Sequence, residues 1–258
     1  GAINTPGLLL RSRLDAEGRV GRRTWLHPVV VMVGQYDREI NGFSGAPQSV
    51  YSEQFAARGA GEMGFVLEVP PVYPMLAGLS VQGDRSQIES QLARVDRMSA
   101  TIAVLCDGLL PQEVGATVRL RDDSYGRYSL NYKFLPEHSE AFQVACTEMA
   151  KIHFAAGARR VISLHHTPVA LERESDLPRL WAAPYKPLSL KILSAHQMGG
   201  CAMGQNPETS VVDPHLRFHT LDNLFVVDGS VFPTSVGVNP QQSIFGIARW
   251  AAKNIAAF

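Results

Sequence analysis

Three segments carry side chains able to do chemistry: His196 in SAHQMGG, Asp228 in VVDGSVFP, and Asn239 with Pro240 in GVNPQQSI. A histidine titrates near neutral pH, so His196 can remove a proton from a hydroxyl and return it. An amide such as Asn239 carries both hydrogen-bond donors and an acceptor. Asp228 follows the apolar run NLFVV, where a carboxylate either meets a ligand at a strand end or caps the turn that follows. Each residue taken singly also has a plain structural reading. Histidine is widely used as a hydrogen-bonding residue, Asp closes turns, and Asn-Pro is a turn device.

Two other chemistries compete for these residues. His215 and His219 are four apart, with His196 and Cys201 upstream, which raises a metal site. Pro214 and the strand-like LRFHT argue for extended backbone there, and in a strand residues four apart are too distant for easy chelation. The adjacent His165 and His166 point to opposite faces of a strand end or loop. No metal site is therefore expected. A serine hydrolase needs a GxSxG elbow; none is present, and Ser44 and Ser230 lack its flanks.

The elements that position these residues can be read from periodicity. Residues 6–14 form a short helix with Thr5 as N-cap, and residues 18–28 (GRVGRRTWLHP) a turn-rich connection before an apolar strand at 29–33. A loop-rich excursion covers 35–61, and FVLEVPPV at 65–72 is a strand stopped by prolines. An amphipathic helix is predicted over 87–98 and a strand over 101–106. A hairpin pairs 117–121 with 128–134 around a turn at 122–126, and a long helix covers 137–156 with Gly157 as its stop. The final third gives a glycine-rich loop at 194–204, a buried strand at 223–230 ending in an acidic turn, and a terminal helix over 243–257. The layout is α/β, with an α+β middle in which an antiparallel sheet carries helices on one side.

Composition narrows the partners. The formal net charge is +0 with Lys and Arg dispersed, so the basic footprint that a nucleic acid requires is absent. The apolar run at 28–34 has strand length, not the length of an integral membrane span. Cys106, Cys146 and Cys201 are odd in number and not in CxxC spacing, which fits a reducing compartment, cytoplasmic or at a membrane periphery.

In order, the pieces resemble the C-terminal signature of the glucose-methanol-choline (GMC) oxidoreductases. The chain supplies His196, Met198-Gly199, Cys201, Met203-Gly204, the turn Ser210-Val211-Val212-Asp213, then NLFVVDGS at 223–230, Phe232-Pro233 and Val238-Asn239-Pro240. GAINTPGLLLRSRL at the beginning resembles a second family signature, and VGRRTWLHP resembles the segment that leaves the flavin domain. Within the family, SAHQMGGCAMG is similar to long-chain fatty alcohol oxidases, and VNP to these and to cholesterol oxidases.

The resemblance implies FAD as cofactor and oxidation of an alcohol, apolar rather than sugar-like, with hydride passing to flavin N5. It implies His196 as base and Asn239 as the amide that holds the substrate oxygen. Asp228 and Gly229 would lie near the ribityl and pyrophosphate groups, and main chain after Asn239-Pro240, at Gln241 and Gln242, would face the flavin's pyrimidine carbonyl. Residues 1–28 and 188–258 would complete an FAD-binding domain, with 29–187 as the substrate-binding domain. The family's opening strand–GxGxxG–helix is not found. The string GAGEMG at 59–64 is a decoy, because YSEQFAAR before it is no buried strand and FVLEVPPV after it opens no helix. The chain is thus expected to be a C-terminal part that needs an N-terminal FAD-binding half as partner. The alternative is an inert substrate-domain fragment that binds a ligand or a partner.

Overall fold

The computed structural model describes residues 1–46, 48–81, 84–121 and 126–256, and the chain divides into two compact units. The first comprises Gly1–His27, Cys106–Lys133 and the stretch from Ser194 onward; the second comprises Pro28–Leu105 and Phe134–Leu193. Among the described residues, no helix is long and apolar enough to cross a membrane.

In the first unit, α1 (Asn4–Arg11) begins one residue before the expected cap. Ile3 occupies the N-cap position without a side-chain bond, and the Thr5 hydroxyl donates instead to Asp228. The apolar run at 29–33 forms the middle of β1 (Thr24–Gln35), which enters the second unit at Pro28.

The second unit is built on that strand. After β2 (Tyr51–Ser52), β3 (Phe65–Glu68), α2 (Pro74–Ser80) and α3 (Arg85–Leu92), β4 (Met98–Leu105) pairs antiparallel with β1, placing Val30 opposite Ala103 and Met32 opposite Thr101. β3 continues the sheet beyond β4, with β2 at its edge. Phe65 follows the 59–64 glycines directly as a strand, so no helix opens there. The helix expected over 87–98 is shorter. It ends at Leu92, a 3-10 turn follows at Val95–Arg97, and Met98 is taken by the β4 ladder opposite Gln35.

The stretch Cys106–Lys133 returns to the first unit as a hairpin of β5 (Thr117–Leu120) and β6 (Tyr128–Asn131). Of the turn expected at 122–126, residues 122–125 lie outside the described residues. The two compact units thus interleave along the chain, with this stretch in the first. Ala116 bridges to Thr24, the Val118 N–H donates to the Gly21 carbonyl at 2.8 Å, and β5 lies against α1. These bonds tie the hairpin to the start of the chain.

The chain then resumes the second unit with α4 (Pro136–Ala155), which has Pro136 in its first turn and is followed by Gly157 at φ +88°. β7 (Arg160–Ser163) pairs with β1 on the side away from β4, and β8 (Ala170–Leu171) pairs with β7. α5 (Leu177–Trp181) packs against α4. α4 lies on β3, β4 and β7 and buries Phe142, Ala145 and Met149. On the opposite face Ala77 of α2 and Leu92 of α3 meet Val31, Val33 and Ala100. A sheet covered on both faces explains why β1 reads as an unbroken apolar run rather than an alternation.

The last stretch departs most from expectation. Residues 194–199 are not loop but most of β9 (Leu193–Gly199), which pairs with β1 and buries Met198 against Trp25 and Phe232. The glycines end the strand. Gly199 has φ +75°, and a Cβ there would lie 2.0 Å from the Arg23 carbonyl oxygen, so only glycine permits this approach. Residues 223–230 are not a strand: Phe225 makes one isolated bridge to Arg217, and Val226 is buried among Leu216, Phe218 and Val231. The closing helix α6 (Gln241–Ile255) buries Ala251 in the same core.

Candidate active site

The histidine singled out from the sequence sits on β9, half-buried, and its ring meets a second histidine. His196 Nδ1 lies 3.1 Å from Nδ1 of His27, and the rings meet edge-on with centroids 5.2 Å apart at 89°. His27 is on β1 and fully buried, and its other nitrogen, Nε2, is 2.7 Å from Ser235 Oγ. Among the described residues, Nε2 of His196 has no hydrogen-bond partner.

Ser235 belongs to a short segment stitched down along its length. The Trp25 indole N–H donates to the Pro233 carbonyl at 3.3 Å, and the Thr234 hydroxyl donates to the Gly108 carbonyl. The Gly237 N–H donates to Ser235 Oγ at 3.0 Å, and the Cys106 thiol donates to the Gly237 carbonyl at 3.2 Å. This anchored segment leads into Val238, Asn239 and Pro240. Asn239 is exposed, Pro240 is the N-cap of α6, and Gln241 and Gln242 are exposed in its first turn. No side chain caps this helix, so the N–H groups of its first turn are left without intrahelical acceptors. Among the described residues no hydrogen bond joins His196 to Asn239; the partner of His196 is His27.

Asp228 is committed to the fold. Its Oδ1 accepts from the Ser230 N–H and its Oδ2 from the Thr5 hydroxyl, both at 2.7 Å, and it caps the 3-10 turn Gly229–Val231. Gly229 is buried, and a Cβ there would come within 3.2 Å of Ile244 on α6. Thus the turn-capping reading describes Asp228 geometrically.

Burial sets the charges of the pair. Desolvation, with repulsion from His196, pulls His27 down to about 4, and desolvation also lowers His196. Both rings are therefore neutral at neutral pH. Burial opposes ionisation of Asp228, yet the donors from Ser230 and Thr5 hold its carboxyl below the usual range. A second buried carboxyl, Asp107, accepts from the Leu26 N–H at 3.3 Å and the Tyr132 hydroxyl at 2.8 Å; burial raises it to about 7.

His27, Ser235 and Asp107 were not singled out by sequence reasoning. The available signal was His27 itself, standing before Pro28 at the mouth of the apolar strand, in a stretch read only as a connection. The rival residues have local partners. His219 Nε2 lies 2.7 Å from Ser210 Oγ, His215 stacks on Trp250 at 6.0 Å, and His165 Nδ1 lies 2.8 Å from Ser163 Oγ. Cys201 is buried, and its thiol is pushed up to about 12 by desolvation, which makes it unreactive.

Comparison with known proteins adds the wider context. A family model described as GMC oxidoreductase matches residues 111–248. A long-chain-alcohol oxidase of Arabidopsis thaliana is 33% identical over 276 residues, covering 99% of this chain and 36% of that protein. An uncharacterized GMC-type oxidoreductase of Mycobacterium tuberculosis is 28% identical over 259 residues, covering 100% of this chain and 39% of its own length. The chain thus spans little more than a third of these relatives. Among solved structures, pyridoxine 4-oxidase from Mesorbium loti superposes with TM-score 0.65 at 19% identity, over 100% of this chain and 50% of that one. A formate oxidase of Aspergillus oryzae superposes with TM-score 0.62 at 15% identity, over 100% and 53%.

Proposed function

Because this chain belongs to the GMC oxidoreductase family, we propose that it is the C-terminal part of a flavin-dependent enzyme that oxidises an alcohol to the carbonyl. The observation that carries the reading is His196: a half-buried, neutral imidazole with Nδ1 engaged and Nε2 open. Such a ring accepts the hydroxyl proton at Nε2 as the carbon–hydrogen bond breaks. Asn239, exposed ahead of α6, donates its amide to the substrate oxygen and keeps the carbon in place.

The residues present fit FAD. Uncapped N–H groups at Gln241 and Gln242 and the positive end of a fifteen-residue helix suit a ring that gains negative charge on reduction. Asn239 and Pro240 would hold that ring, and Asp228 and Gly229 would hold the ribityl side, the carboxylate acting through the turn it caps. Bound FAD supplies the acceptor for the hydride that leaves the carbinol carbon. A partner half, within the same polypeptide or separate, would hold the pyrophosphate. The substrate is an apolar alcohol, in line with a relative named for long-chain alcohols and with exposed Val238 and Phe245 on either side of the α6 N-terminus.

The test is His196→Ala in the flavin-loaded enzyme. Turnover is expected to fall about 100- to 10,000-fold while flavin absorbance is retained. Undiminished alcohol oxidation would remove His196 from the chemistry.

A further inference from the structure

Resting on that reading of His196, we propose that His27 is a positioning residue for the proton transfer. It accepts the Nδ1–H of His196 and so keeps the lone pair of His196 on Nε2, where the substrate proton is taken.

The argument is a count of hydrogens. The two Nδ1 atoms are 3.1 Å apart, so one of them carries a hydrogen and the other accepts it. If His27 donated, neutral His196 would carry its own hydrogen on Nε2 and could take no proton there. The productive arrangement is the reverse, with His196 Nδ1–H donating to His27 and His27 Nε2–H donating to Ser235 Oγ. Ser235 can receive it: its oxygen has two lone pairs, and the Gly237 N–H occupies one.

The clamp on Ser235 is rigid because Pro233, Thr234 and Gly237 are each bonded to Trp25, Gly108 or Cys106. His27 must also stay neutral, or its Nδ1 would lose the lone pair. Desolvation and the neighbouring His196 keep it so, while the buried carboxyl of Asp107 is committed to the Leu26 N–H and Tyr132. When His196 takes the substrate proton, the Nδ1–H to His27 bond becomes charge-assisted and strengthens. The edge-on packing of the rings at 89° fixes the direction in which Nε2 points.

The test uses the flavin-loaded enzyme with 15N-labelled histidine. The wild-type His196 should show an unprotonated Nε2 and a protonated Nδ1. His27→Phe keeps an aromatic ring at this buried position without an acceptor; it should mix the His196 tautomers and lower kcat on the order of 10- to 100-fold, the usual effect of losing an orienting partner, with KM and flavin content little changed. His27→Asn, which restores an acceptor near Nδ1, should recover part of both signals. Should His27→Phe fail to fold, Ser235→Ala tests the same clamp with a smaller lesion and should shift the tautomer in the same direction. A wild-type His196 protonated on Nε2, or variants with wild-type tautomer and kcat, would overturn the proposal. Failure of the base reading is distinguishable, because there His196→Ala stays active whatever the tautomer spectrum shows.

Discussion

Replacing Asp107 with Asn should stabilise the protein in alkaline solution and do far less in acid. The carboxyl is 1% exposed, and among the described residues its Oδ1 has no hydrogen-bond partner. Burial lifts its pKa from 3.8 to about 7; the donors from Tyr132 and Leu26 oppose the rise, and repulsion from Glu113 adds to it. Between those two values the folded protein keeps a proton that the unfolded chain has released, so stability falls as pH rises through that window. At about 1.4 kcal/mol per tenfold change, the full cost above the window is about 4 kcal/mol. Asn retains an oxygen that can accept from Tyr132 and Leu26 and never ionises. Urea unfolding of both proteins at about pH 5 and about pH 8 should show the advantage of Asp107→Asn growing by roughly 2–3 kcal/mol between them. Parallel pH dependence in the two proteins would mean that Asp107 does not titrate in this range, and the burial argument would fall.

Gly199→Ala should be severe for a single methyl, because it adds left-handed strain at φ +75° and a contact 2.0 Å from the Arg23 carbonyl oxygen. A loss of more than about 2 kcal/mol is expected, read as a drop of several degrees in Tm, and an unchanged Tm would contradict the close approach. Phe142→Ala, at a position with no exposure beneath the sheet, should cost about 3–5 kcal/mol. A urea midpoint within a few tenths of wild type would show that α4 is not seated as described.

What could be read from the sequence followed from local signals. The helix over 137–156 was legible because Phe142, Ala145 and Met149 recur on one face and Gly157 ends it. The strand at 29–33 was legible as an apolar run of strand length. The strand over 194–199 is masked in the sequence by Gly199 and Gly200, which resemble a loop but end a strand, Gly199 against the Arg23 carbonyl. NLFVV was misread because a short apolar run looks the same whether a ladder or a surrounding core buries it; here the core does, with a single bridge at Phe225. For the candidate site, motif order alone nominates His196 and Asn239. The contact of His196 with His27 spans 169 positions, and no spacing rule reaches that far.

The first unit is assembled from three stretches, the second from two, and both stretches of the second precede Ser194. Chain order therefore sets an order of assembly during synthesis. By Leu193 every strand of the central sheet except β9 has been made, and the second unit can close. The first unit at that moment holds Leu9, Val20 and Trp25 without Met198, Phe218 and Phe232. Its contacts are the most distant in sequence and therefore the slowest to form. The half of the chain that carries His196 is the last to become structured, and until then its apolar residues are the ones a chaperone would meet.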